Sequence, residues 1–235
     1  AVAGVELFDA DDGRNGNTVR NNTILDNELG VAIVAGSENS IVRDNTIGGN
    51  LGEQILIQFS DGHRIEGNTM HGIPSSPLFD SDGGVLLDGA SDNVLIDNTL
   101  QDTGDAGVNV SASSNRNRIE GNTFYRNGDA GVIVQDSHQN QIINNTSHQQ
   151  SDGGVVLNNA NDTIIRGNDL RFNPSGVEAG GANDLVVEDN DGSSSLQAGF
   201  ELGSGLNMIV RNNVADHTGG SGISLEGGEF DANGN

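Results

Sequence analysis

The chain has 235 residues, with 34 Asp and Glu against ten Arg and no Lys, a formal net charge of −24. Nucleic acid and anionic lipid surfaces both need clustered cations, so that balance excludes them as partners. No apolar run approaches the roughly 18 residues of a membrane-spanning helix, and with no Cys there are neither disulfides nor thiolates to consider.

The charge reads either as a solubilising, self-repelling surface or as an affinity for divalent cations. Aromatics make up only 3% of the chain, so any interior must be filled by Val, Ile and Leu.

In chain order, the first apolar alternation is Val5/Leu7, directly after Gly4. Nine copies follow: Val31/Ile33, Ile55/Ile57, Val85/Leu87, Val108/Val110, Val132/Val134, Val155/Leu157, Val177/Ala179, Phe200/Leu202 and Ile223/Leu225. Alternation at period two predicts a strand with one buried face. Gly precedes every run except the third, where Gln54 stands.

Downstream of each run comes an Asn, at Asn22, Asn45, Asn68, Asn98, Asn122, Asn145, Asn168, Asn190, Asn213 and Asn235. The steps are 23, 23, 30, 24, 23, 23, 22, 23 and 22 residues. A period of roughly 20–30 residues marks a solenoid. The residue before each Asn is Gly, Asn or Asp, the types that tolerate left-handed backbone, so one tight corner recurs. Further apolar clusters precede the Asn (Ile41-Val42, Ile119, Ile164-Ile165) and follow it (Ile24, Ile47, Met70, Leu100, Phe124, Leu170).

Three short strands per repeat, with no helical period and no Leu-rich consensus, describe an all-β parallel β-helix. About ten coils of 22–24 residues form a single domain over residues 1–235. Stacked coils put each Asn over the next, where the amides pair up the column. The long step hides an inserted loop over residues 70–84, "MHGIPSSPLFDSDGG". Neither end shows the polar cap a solenoid needs, so a longer parent protein is expected.

The motifs "G-V-x-[VIL]" and "[GND]-N-T" resemble those of right-handed parallel β-helix repeat families of secreted carbohydrate-active and carbohydrate-binding proteins. Mannuronan C-5 epimerase catalytic modules and periplasmic β-helix proteins of copper-site maturation are similar in style. The resemblance covers essentially the whole chain. It implies a right-handed coil, a polysaccharide partner and an extracellular or periplasmic location, for a lyase, epimerase or glycoside hydrolase type of protein or for a non-catalytic presentation solenoid. The epimerase's Tyr-Gly-Phe-Asp-Pro-His-like stretch does not occur, nor does the Gly-His-Gly of polygalacturonases.

In a solenoid, chemistry is sought down columns. The resemblance implies that polysaccharide lies on the outward face of the alternating strand. There Glu178 and Glu201 fall on adjacent rungs, as an acid–base pair, a shared cation site or two exposed glutamates of a polar sheet. Asp88, Asn109, Gln135, Asn158 and Glu226 are the expected substrate-binding residues of the same face. Outward Val34, Leu56, Leu86, Ile133 and Val156 form an apolar stripe that suits self-association or packing under the inserted loop.

A carboxylate column before the strand (Glu28, then Asp82, Asp105, Asp129 and Asp152) fits Ca²⁺ binding or a turn-opening Asp. No Arg falls on the alternating strand, which argues against uronate lyase chemistry. Arg43–Glu66 and Arg166–Glu188–Arg211 are expected as cross-strand charge ladders.

Overall fold

A computed structural model describes residues 3–8, 16–73 and 83–235. Among these residues there is no helix, only short strands that pair in parallel. They form two ten-stranded sheets and one six-stranded sheet, each joining strands one repeat apart. The third sheet ends at Thr146–His148 and continues as isolated bridges through Asp169, Asp191 and Val214. Ten stacked rungs in nine steps make the expected β-helix.

The alternation explains the core. Val31, Ile55, Val108 and Val177 point inward from the long strands, and Val42, Ile65, Ile119 and Val187 from the second sheet. Ile47, Met70 and Phe124 close the triangle from the third sheet, and all eleven of these side chains are fully buried. One apolar axis therefore runs the length of the molecule.

The corner before each anchor Asn is strained as its residue types imply. All ten residues there, from Asn21 to Gly234, have φ between 54° and 68°. The anchors form an unbroken file. Each Nδ2 donates to the next Oδ1, at 3.0 Å for Asn45 to Asn68, 3.0 Å for Asn98 to Asn122 and 3.1 Å for Asn213 to Asn235. The same Oδ1 also accepts the backbone N–H of the rung before, 2.9 Å for Asn22 to Asn45. The long step leaves this file intact, since Asn68 donates to Asn98 at 3.0 Å across it. The extra residues thus enter between His71 and Val85. Residues 74–82, including Leu78, Phe79, Asp80 and Asp82 of the expected covering loop, lie outside the described residues.

The glycine before the long strand has a packing cause. A Cβ at Gly84 would sit 2.1 Å from the Gly107 carbonyl oxygen of the next rung, and one at Gly154 2.7 Å from that of Gly176.

A second polar file occupies another corner and varies in identity. Asn17 N–H donates to Ser40 Oγ (3.1 Å), Ser40 N–H to His63 Nδ1 (3.1 Å), and His63 N–H to Asn93 Oδ1 (2.9 Å). It continues from Asn93 to Asn117 and from Asn117 to Asn140, each at 2.9 Å.

The Arg166–Glu188–Arg211 ladder forms, with both guanidinium groups on the buried Glu188 carboxylate. The other ladder differs from expectation. Arg43 and Glu66 are register partners and Arg43 helps hold the Glu66 carboxyl down, but the close ion pair, at 2.8 Å, comes from Arg64, two residues away on the same strand.

Candidate functional site

The outer face of the long-strand sheet carries two files of side chains. Strand register runs Ala32–Leu56–Leu86–Asn109–Ile133–Val156–Glu178–Glu201–Ser224 in one. Val34–Gln58–Asp88–Ser111 and Gln135–Asn158–Gly180–Gly203–Glu226 make the other. Every expected substrate-binding residue is on this face. Asp88 is already engaged, with Gln58 Nε2 donating to its Oδ2 at 2.7 Å.

Glu178 and Glu201 are direct register partners on the strands Ser175–Gly180 and Phe200–Gly203. Their Cα atoms are therefore about 4.8 Å apart, the spacing of any sheet. Beside them Gly180 and Gly203 contribute no side chain, and this missing bulk hollows the sheet surface into a groove. Val156, Asn158, Glu178, Glu201 and Glu226 line it, with a volume of about 200 Å³. That is small for an enclosed small-molecule pocket, and the shape is that of an open trough.

The two glutamates differ in setting. Glu178 is half-buried and Glu201 exposed. Burial pushes the Glu178 carboxyl up, and Asp152, Glu201 and Asp129 push the same way, against the opposing Ser175 hydroxyl. Ser175 Oγ is fully buried and has no well-aligned hydrogen bond, yet lies close enough to lower that carboxyl.

Asp105, Asp129 and Asp152 stack along one edge of this face, with Asp152 N–H donating to the Asp129 carbonyl at 3.1 Å. Burial raises the Asp129 carboxyl, with Asp105 and Asp152 adding to the rise. Among the described residues no three His, Asp or Glu converge into a group that could hold a metal ion. Asp82, the fourth member of the expected Ca²⁺ column, lies outside the described residues. The apolar stripe of Val34, Leu56, Leu86, Ile133 and Val156 is half-buried on the outer surface.

Some features were not anticipated from sequence. Phe59 sits at φ 51° and is 64% exposed at the rim of the long-strand face, next to Gly89. On the third face, Asp169 pairs with His148 and Arg171 at 2.8 and 2.7 Å. Burial pushes the Asp169 carboxyl up, but those two partners overcome it and bring it down to about 2. No motif announces either group; Phe59 meets Gly89 and His148 meets Asp169 across neighbouring rungs, while Arg171 joins Asp169 from two residues along the same coil.

Parallel strands wound in three sheets around one apolar axis define a β-solenoid. The chain belongs to the family described as right handed beta helix region, whose model matches residues 4–170 and 117–235. No curated protein matches it in sequence. Solved structures of similar fold include a periplasmic alginate epimerase at 15% identity, covering 91% of this chain and 65% of that one, with a TM-score of 0.64. The catalytic unit of an alpha-1,3-glucanase from Streptomyces thermodiastaticus is 13% identical, covering 92% of this chain and 48% of its own, at TM-score 0.64. The A-module of a mannuronan C-5 epimerase from Azotobacter vinelandii is 15% identical, covering 92% and 89%, at TM-score 0.53. The chain thus spans about half of the glucanase unit and just under two thirds of the alginate epimerase.

Proposed function

We propose that this chain is a polysaccharide-interacting module of an extracellular or periplasmic protein, with the glycan lying along the outer face of the long-strand sheet. The observation that carries this reading is the pairing of two parallel files on that face. Leu56, Leu86, Ile133 and Val156 offer apolar surface, and Gln58, Asp88, Gln135 and Asn158, two residues along each strand, offer hydrogen-bonding groups about 7 Å away. A pyranose ring has the same two-sided character, an apolar C–H face and a rim of hydroxyls. The glycan-directed names of the similar solved structures support the reading.

One observation favours catalysis at this groove. A half-buried carboxyl that burial pushes up, beside an exposed one on the next rung, is the arrangement of a glycosidase acid and its partner. In that role Glu178 protonates the leaving oxygen and Glu201 is the nucleophile or base.

Titration calorimetry against neutral and charged oligosaccharides tests the module. Val156→Arg, which fills the groove beside Glu178, is expected to weaken binding about tenfold or more. Unchanged affinity would move the site elsewhere. A chain that binds no glycan, or that covers this stripe with a second copy in solution, is a structural solenoid. Release of reducing ends by the wild type but not by Glu178→Gln would establish hydrolysis.

A further inference from the structure

The charge on the groove selects among glycans. We propose that its ligand is an amine-bearing polysaccharide, a hexosamine polymer with free amino groups, rather than a uronate or a neutral chain. The inference rests on the groove reading above and refines it.

Four observations carry it. Three carboxylates, Glu178, Glu201 and Glu226, line the trough itself. Asp152 and Asp129 add to the negative field there, close enough to act on Glu178. None of the ten long strands contains Arg or His, and Lys is absent from the chain, so among the described residues no cationic side chain of these strands neutralises them. Seven of the ten Arg are ion-paired away from the trough, among them Arg166 and Arg211 on Glu188, Arg118 on Glu120 and Arg171 on Asp169.

A uronate chain laid here would bring one carboxylate per residue against that field, and like charges in register repel. A neutral chain would pair its hydroxyls but leave the carboxylates without counter-charge. An ammonium group on each sugar supplies it, because Glu178 and Glu201 stand one rung apart. The apolar file from Leu56 to Val156 still receives the ring faces. Charge and shape then agree on one polymer.

The probes are a glucosamine oligomer with free amines, the same oligomer after N-acetylation, and a galacturonate oligomer with and without Ca²⁺. Affinity for the free-amine oligomer is expected to exceed that for the acetylated one by about tenfold or more, and to fall as salt is raised. Glu178→Gln with Glu201→Gln, isosteric and outward-facing, should remove most of that preference. Glu38→Gln, on an exposed turn, should leave it intact. Unfolding curves for each variant separate lost binding from lost structure. Equal or tighter binding of the acetylated oligomer, with Val156→Arg still abolishing it, would overturn the amine preference and leave the groove standing. Tightest binding of the galacturonate oligomer, with or without Ca²⁺, would also overturn it. Binding of no oligomer would overturn both.

Discussion

His63 occupies a place that its stacked neighbours fill with Ser or Asn, and it is fully buried. Its Nδ1 accepts the Ser40 N–H, so the ring proton is on Nε2, which donates to Ser60 Oγ at 2.9 Å. Burial lowers its pKa from 6.5 to about 4, against the weaker pull of Asp61. The folded value is below the unfolded one, so on acidification the unfolded chain takes up the proton first. Stability from this site is therefore full above about pH 6.5 and is lost as pH falls towards 4, by about 3 kcal/mol in all. Urea unfolding across that range should show the loss in the wild type and a flatter profile in His63→Asn, which restores the amide of neighbouring rungs.

The anchor file gives a second residue-scale test. Asn145 Oδ1 accepts from both the backbone and the amide of Asn122, and its own Nδ2 donates to the Ile119 carbonyl at 2.9 Å. Asn145→Ala strands these groups in the interior and should cost about 3 kcal/mol in chemical denaturation. Asn22, exposed at its end of the file, should lose less than about 1 kcal/mol on the same change, because water replaces its partners.

At the scale of the strand and its turn, sequence reading succeeded where one repeat dictates one role. The period-two runs, the left-handed corner and the Asn file were all legible, because identical residues a repeat apart must meet. The glycine before each long strand was visible as a pattern, but its cause needed the neighbouring rung. Gly84→Ala should destabilise by about 2–3 kcal/mol, since the carbonyl it meets is backbone and cannot swing aside. The mixed Asn-Ser-His file escaped notice because chemically unlike side chains do the same job there. The charge partners were half legible. Register placed Glu188 between two arginines, but it could not say that Glu66 would turn to Arg64 on its own strand.

Over the whole molecule, the solenoid makes three faces of different character from one repeat. Stacking fixes the spacing of side chains along each face, while the residue chosen at each rung is free to vary without disturbing the core. The candidate groove arises from this freedom. Gly180 and Gly203 open it, Val156 floors it and two glutamates on successive rungs give it charge. Its position was legible as a column of outward residues, with Gly180 and Gly203 beside the glutamates; the half-burial of Glu178 next to an exposed Glu201 was not, because two glutamates of one column look alike in sequence. Carboxyl-directed covalent labelling in the presence and absence of a saturating amine-bearing oligosaccharide tests this account most directly. Glu178, Glu201 and Glu226 are expected to become protected together, with Glu38 and Asp97, on exposed turns outside the trough, labelled as before. Protection that falls on another face of the solenoid, or on no carboxylate at all, would contradict it.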